Sequence, residues 1–224
     1  MSFRDLRALA ISAVFLLLVL AVAEYARRRG MPRVDTRRIV HVAVGTWILP
    51  TFMLYETAFW AALPSFLFVG VNALSLRFRL IQSVELGERS WGTVLFPLSV
   101  GLLTLWGWEE PWRAVAVAGV LVMAWGDAAA SLIGRRWGRR IYRVAGHPRS
   151  LEGSFAMLAF SWVAILFAFA MLGPSLTPPV VQAALIAAVA GMLIESVSLW
   201  GIDNLLVPLG VAGVLVLTHG SSWS

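Results

Sequence analysis

Two residue types are missing from the 224-residue chain: it contains no cysteine and no lysine. Without cysteine it is not a secreted disulfide scaffold. Without lysine it has no P-loop lysine, no kinase strand lysine and no amine for Schiff-base chemistry. Charge of any kind is scarce, at 13% of residues, where soluble domains carry about 25%. Hydrophobic residues make up 59% of the chain and the mean hydropathy is +0.81. That balance excludes a soluble cytosolic domain and a disordered tail. It predicts a polytopic membrane protein.

A helix that crosses the hydrocarbon core needs roughly 17 to 25 mostly apolar residues. Eight runs qualify, at about 8–26, 39–55, 57–75, 92–108, 112–133, 152–173, 178–199 and 203–219. The second is short and interrupted by Pro50, and the third carries Pro64, which a membrane helix tolerates as a kink. The expected fold class is therefore all-α: a transmembrane helical bundle of about eight spans, forming one integral-membrane domain over residues 1–224.

All 18 basic residues are arginine, and they are unevenly distributed. Fifteen lie between spans one and two (27–29, 33, 37, 38), three and four (77, 79, 89), and five and six (135, 136, 139, 140, 143, 149). The other side has only Arg4, Arg7 and Arg113. Arginine-rich short loops stay cytoplasmic, so both termini are expected outside, with Trp106, Trp108 and Trp112 as an outer aromatic belt. The same distribution assigns the net charge of +6 to topology, not to nucleic acid. The chain start also imitates a cleaved signal peptide, since Arg4 and Arg7 precede an apolar run ending Ala21-Val22-Ala23. Arg27, Arg28 and Arg29 follow at once and resist translocation, so a retained first helix is expected, with seven spans if it is absent or cleaved.

Carboxylates are costly near a bilayer centre, at least ~2.5 kcal/mol each. Asp127, Glu195 and Asp203 nevertheless sit at or just inside the cytoplasmic ends of spans, with Asn204 beside the last. A helix cap or a snorkelling side chain would account for any one of them. Three acids converging on one face point to a metal or polyphosphate site. Asp127, Ala130, Gly134 and Gly138 recur at helical spacing, a small face that lets a backbone or ligand approach closely. Gly134-x-x-x-Gly138 alone would be a helix-packing motif, and the arginines alone a positive-inside signal that also attracts anionic lipid. An acid upstream of Arg135 and Arg139 shifts the balance, because arginine forks grip phosphate oxygens while carboxylates hold the accompanying Mg²⁺.

Ser150 with Glu152 and Gly153 opens span six, leaving backbone N–H groups that favour anions, although Glu152 also complements the helix dipole. His41 stands one turn inside span two behind Arg37 and Arg38; a lone histidine at that depth is more often a packing residue than a ligand. Glu88 and Arg89 precede span four, as a solvated pair or as part of the same pocket.

The run Gly126-Asp127-x-x-Ala130-x-x-x-Gly134-x-x-x-Gly138, continued by Arg149-Ser150-Leu151-Glu152-Gly153-Ser154, resembles the membrane polyprenol kinases. That family includes dolichol kinase, phytol kinase and the yeast-type CTP-dependent diacylglycerol kinase. Glu195, Ile202-Asp203-Asn204-Leu205-x-x-Pro208, Arg37-Arg38-x-x-His41-x-x-x-Gly45 and Glu88-Arg89-Ser90-x-Gly92-Thr93 also match, in order. The resemblance covers about residues 37–210, with 1–36 as an extra N-terminal helix and basic loop. It implies a CTP-dependent kinase of a lipid alcohol (a prenol, a polyprenol or diacylglycerol) working at the cytoplasmic face with Mg²⁺ or another divalent cation. It further implies that Arg38, His41, Glu88, Arg89, Gly134, Arg135, Gly138, Arg139, Arg149, Ser150 and Glu152 surround the nucleotide. Asp127, Asp203 and Asn204 would hold the metal, and Glu195 would orient or deprotonate the lipid hydroxyl. The family usually has lysine where this chain has Arg38 and Arg149; both keep the charge but present it differently to phosphate. A cytidylyltransferase of lipid phosphates shares the Asp127-to-Glu152 stretch but typically adds a second acidic Asp-Arg-x-Asp signature, where this chain has only Asp203-Asn204. A transporter would place its polar site at the midplane, often between inverted repeats.

Overall fold

Apolar runs separated by short polar turns must satisfy their backbone groups within each run, which in a bilayer means helices. The computed structural model describes residues 1–78 and 91–219. Helices α1 (Phe3–Arg28), α2 (Arg33–Thr46), α3 (Ile48–Leu54), α4 (Ala58–Phe78) and α5 (Gly92–Trp106) make up the first half. A continuous helical rod follows, composed of α6 (Arg113–Leu121), a π-helical segment (Val122–Gly126) and α7 (Asp127–Trp137). After a hairpin of β1 (Ile141–Val144) and β2 (His147–Ser150) come α8 (Leu151–Leu172), α9 (Pro178–Val197) and α10 (Asp203–His219). Among the described residues, five helical stretches are long and apolar enough to cross a membrane: α1, α4, the Arg113–Trp137 rod, α8 and α9. α5 and α10 are shorter apolar helices, so the chain is built as a multi-pass membrane protein.

Three features depart from the sequence expectation. The second run breaks at Trp47, three residues before Pro50. Proline has no N–H for the carbonyl four residues back and its ring crowds that carbonyl, so the helix fails in the preceding turn. The 112–133 run is not α-helical throughout, because the π segment changes the hydrogen-bond step just before Asp127. The arginine-rich connection contains a hairpin, with Ile141 opposite Ser150 and Val144 opposite His147. Its two-residue turn, Ala145-Gly146, has φ of 46° and 86°, the paired positive values that match the twist of tight hairpins.

The rod from Arg113 to Trp137 is the axis of the fold. Every residue from Ala114 to Leu121 is buried, as expected of a helix with neighbours on all sides. α2, α5, α8 and α10 all pack on α6. Hydrophobicity does not hold helices together in lipid; close approach of small residues does. Gly119 shows why: a Cβ there would lie 2.6 Å from the Pro208 carbonyl oxygen of α10.

Polar side chains inside the bundle repair the backbone. Pro97 within α5 leaves the Thr93 carbonyl without its helical donor, and the Asn72 amide of α4 donates to that oxygen at 2.7 Å. Asn72→Ala should therefore lower stability by about 1–3 kcal/mol, the cost of orphaning a buried acceptor. A thermal melt in detergent would measure this, with activity per folded molecule unchanged. At the opposite end from the arginine-rich loops, Asp5 of α1 is fully buried and accepts from the Glu56 N–H at 2.9 Å and the Thr57 N–H at 3.3 Å. These donors precede α4, so Asp5 caps that helix from another part of the chain.

Candidate active site

α7 ends, α8 and α10 begin, α9 ends and α2 begins at one end of the bundle, and most of the predicted polar residues meet there. Asp127 opens α7 directly after the π segment, Glu195 lies in the last turn of α9, and Asp203 is the first residue of α10. One carboxylate oxygen from each lies within 4.8 Å of the other two. Glu195 is buried, while Asp127 and Asp203 are partly buried. Three hard oxygen donors, with no histidine or cysteine among them, suit a small divalent cation such as Mg²⁺ that also binds phosphate. The Asn204 side-chain amide and backbone N–H both donate to Asp203 Oδ1, at 3.1 and 3.0 Å. Asn204 thus orients Asp203.

Arginines surround the acids. Arg149, from β2, forms an ion pair with Glu195 and donates to the Ser198 carbonyl at 2.9 Å. Arg37 stands close enough to Asp127 and Asp203 to interact with both charges. Arg38 hydrogen-bonds Ser131 and pairs with Asp35 at 2.9 Å, and Arg135 reaches the same Asp35 oxygen at 2.5 Å. Asp35 thus joins α2 to α7 and sets the spacing of two guanidiniums. Next to this group is a cavity of about 320 Å³. Asp127 and Glu195, Arg135 and Arg149, and Gly134 and Ser150 are all among its lining residues.

The small face downstream of Asp127 receives the start of α8. A Cβ on Gly134 would lie 2.9 Å from Ser150 Oγ, and one on Gly153 would lie 2.9 Å from the Ala130 carbonyl oxygen. α7 and the start of α8 can therefore lie close together, which brings Ser150 beside Asp127's helix. α7 stops at Trp137, so Gly138 is not a further position on the helical face; its N–H donates to the Gly134 carbonyl at 3.0 Å as a cap. Ser150 caps α8, accepting from the Gly153 N–H at 3.1 Å. Glu152 turns toward the chain, accepting from the Arg139 and Arg140 N–H groups at 3.1 and 3.2 Å. Arg139 is exposed and does not line the cavity.

α2 reaches the acids because it docks on the π segment. Trp125 Nε1 donates to Thr46 Oγ1 at 2.9 Å, and His41 lies beside the Met123 backbone. The His41 ring lies 4.0 Å from the Phe96 ring, and its Nε2 is buried without a partner among the described residues. Glu88 and Arg89 lie outside the described residues. Asp35, Ser131 and Ser198 belong to the site without a sequence motif that marks them as ligands, and Arg37, although part of the Arg37-Arg38-x-x-His41 motif, is not among the residues expected around the nucleotide. The i, i+3 spacing of Asp35 and Arg38 is a local hint for one of them.

No family model and no solved structure matches the chain. Curated relatives do. A phytol kinase of Synechocystis sp. is 38% identical over 208 residues, covering 92% of this chain and 88% of the relative. A Glycine max protein named probable phytol kinase 1, chloroplastic, is 29% identical, covering 90% and 72%. CTP-dependent diacylglycerol kinase 1 of Schizosaccharomyces pombe is 28% identical over 144 residues, covering 59% of this chain and 63% of that one.

Proposed function

The chain belongs to the polyprenol kinase family, and from that premise we propose that it transfers the γ-phosphate of CTP to the hydroxyl of an isoprenoid alcohol such as phytol. The observation that carries this reading is the cluster of Asp127, Glu195 and Asp203 beside an arginine-lined cavity at the bundle end. Such a site suits phosphoryl transfer, where positioning and charge neutralisation do most of the work.

Arg135 and Arg149, which line the cavity, hold the phosphate oxygens, with Arg37 and Arg38 close to the same acids. Arg149 exchanges part of its contact with Glu195 for phosphate when the nucleotide binds. Asp127 and Asp203 would hold a divalent cation, which supplies charge neutralisation between phosphates; Asn204 fixes the Asp203 carboxylate. Glu195 accepts the proton of the lipid hydroxyl. The alcohol oxygen forms a bond to the γ-phosphorus as the bond to the β-phosphate oxygen breaks, and CDP leaves.

Purified protein given γ-labelled CTP and a panel of phytol, geranylgeraniol, polyprenol and diacylglycerol tests this directly. The expected result is label in the lipid phosphate with CDP released, and faster transfer from CTP than from ATP. Release of pyrophosphate with cytidine in the lipid would replace the kinase reading by a cytidylyltransferase.

The site faces the cytoplasm in this reading, following the arginine asymmetry. Single cysteines at residues 30 and 144 should resist an external impermeant thiol reagent in intact cells, while those at 110 and 176 should react. Labelling at 144 would invert the topology.

A further inference from the structure

Asp35, in the first turn of α2, is held between two guanidiniums that come from different helices. Arg38 Nη1, one turn further along α2, donates to Asp35 Oδ1 at 2.9 Å. Arg135 Nη2, in the last turn of α7, donates to the same oxygen at 2.5 Å. Arg38 uses its other terminal nitrogen, Nη2, to donate to the Ser131 hydroxyl of α7. Ser131 stands midway between Asp127 and Arg135, one helical turn from each. The clamp therefore closes α2 onto the stretch of α7 that leads from the acid cluster to the cavity arginine.

The two arginines in it are not equivalent. Arg38 has both ends of its fork engaged by the protein, and its side chain is only 17% exposed. It is not among the residues lining the 320 Å³ cavity. Arg135 does line that cavity, and Asp35 is its only hydrogen-bond or ion-pair partner among the described residues. Its side chain is 47% exposed, and a long side chain in such a setting keeps many rotamers unless something fixes it. Like charge opposes fixing it here, because Arg38 lies within its field. The Asp35 carboxylate offsets that repulsion and pins the guanidinium beside the cavity. An ion pair so open to water adds little to the stability of the fold. What it contributes is geometry.

Resting on the kinase reading, we propose that Asp35 is a positioning residue, anchored by Arg38 and Ser131, that presents the remaining N–H groups of Arg135 to the polyphosphate of the nucleotide. Asp35 itself touches no phosphate. Arg38 is the strut of the clamp, and Arg135 is the arm that it aims.

The sign of the effect separates this role from simple electrostatics. An acid that only added negative charge near the site would repel phosphate, so its removal would tighten binding. Removal of a clamp weakens it. In Asp35→Ala, the Kd of the purified protein for CTP and for inorganic tripolyphosphate, each with Mg²⁺, should rise about three- to tenfold, the scale of immobilising one long side chain on binding. The KM for CTP should rise in parallel, while the KM for the alcohol stays at its wild-type value. Asp35→Asn keeps an oxygen for the two forks and should lie between wild type and Asp35→Ala. In an Arg135→Gln background no guanidinium remains to be aimed, so Asp35→Ala should add less than about twofold. Melting temperatures should stay close to wild type; if Asp35→Ala melts early, Asp35→Asn replaces it in the same comparison. Unchanged or tighter binding without Asp35, or an undiminished loss in the Arg135→Gln background, would overturn the proposal and leave the kinase reading standing. A wild type that bound both ligands but phosphorylated no alcohol would remove the kinase reading, and the same Kd comparison would still decide the role of Asp35. A wild type that bound neither would overturn both.

Discussion

Asp127→Asn should reduce turnover by about 10²- to 10³-fold while the protein folds normally, because it removes a charge and leaves the shape. Asp127 is where several lines meet. It is an acid within the axial helix, directly after a π segment, with one oxygen within 4.8 Å of those of Glu195 and Asp203. Arg37, Arg38 and Arg149 all lie within its field. If its charge neutralises or positions the nucleotide complex, the loss corresponds to roughly 2.7–4 kcal/mol of transition-state stabilisation. Asparagine is cheaper than aspartate at membrane depth, so the melting temperature should hold or rise. A purely structural role predicts the reverse, with normal turnover per folded molecule and a lower melt. Measuring both on the same preparation separates them, and a well-folded variant with near wild-type turnover would remove Asp127 from the reaction.

Arg149→Leu should be damaging in two separable ways. Arg149 is 26% exposed at its side chain, but its partner Glu195 is only 4% exposed. Removing the guanidinium strands a buried carboxylate and costs about 3 kcal/mol, the low end for breaking a buried pair because Arg149 keeps some contact with solvent. If Arg149 holds phosphate as proposed, activity should also fall by at least about 10²-fold even in the molecules that fold. The double variant Arg149→Leu with Glu195→Gln distinguishes these effects. Neutralising the stranded acid should restore much of the lost thermal stability, while activity stays low because both proposed reaction groups are gone. Arg149→Lys, which keeps a positive charge beside the intact Glu195, should retain more activity than Arg149→Leu. Recovery of activity along with stability in the double variant would show that neither Arg149 nor Glu195 acts in the reaction.

Much of the helical layout is legible in the sequence. The eight apolar runs correspond to helical stretches, the second as the broken pair α2 and α3, because length and hydropathy are local properties that a bilayer reads directly. Ser150 as a helix cap and the small face through Ala130 and Gly134 are equally visible, since caps and helical faces depend on residues three or four apart. The fate of Glu152 is not visible. As the second residue of α8 it suits either an incoming anion's surroundings or the helix dipole, and only the path of residues 139 and 140 gives its carboxylate two N–H donors. The hairpin escapes a sequence reading because four-residue strands are too short for periodicity to detect among so many arginines.

By itself, then, the sequence determined a helical membrane protein, the concentration of its arginines between particular spans, and three acids placed where lipid would not tolerate them idly. Family membership followed from motifs in order along the chain. Tertiary structure alone decided that acids from α7, α9 and α10 meet within 4.8 Å, and that Asp35 holds an arginine a hundred residues away. It also decided that Arg149 reaches Glu195 and that the Phe96 ring packs against His41. The reason is physical: composition and periodicity report on a residue's own helix and solvent, whereas a site depends on which helices share an end and how closely their backbones approach. That approach is set here by glycines at α7 and α8 and by a π segment whose extra residue per turn is not written in any local pattern.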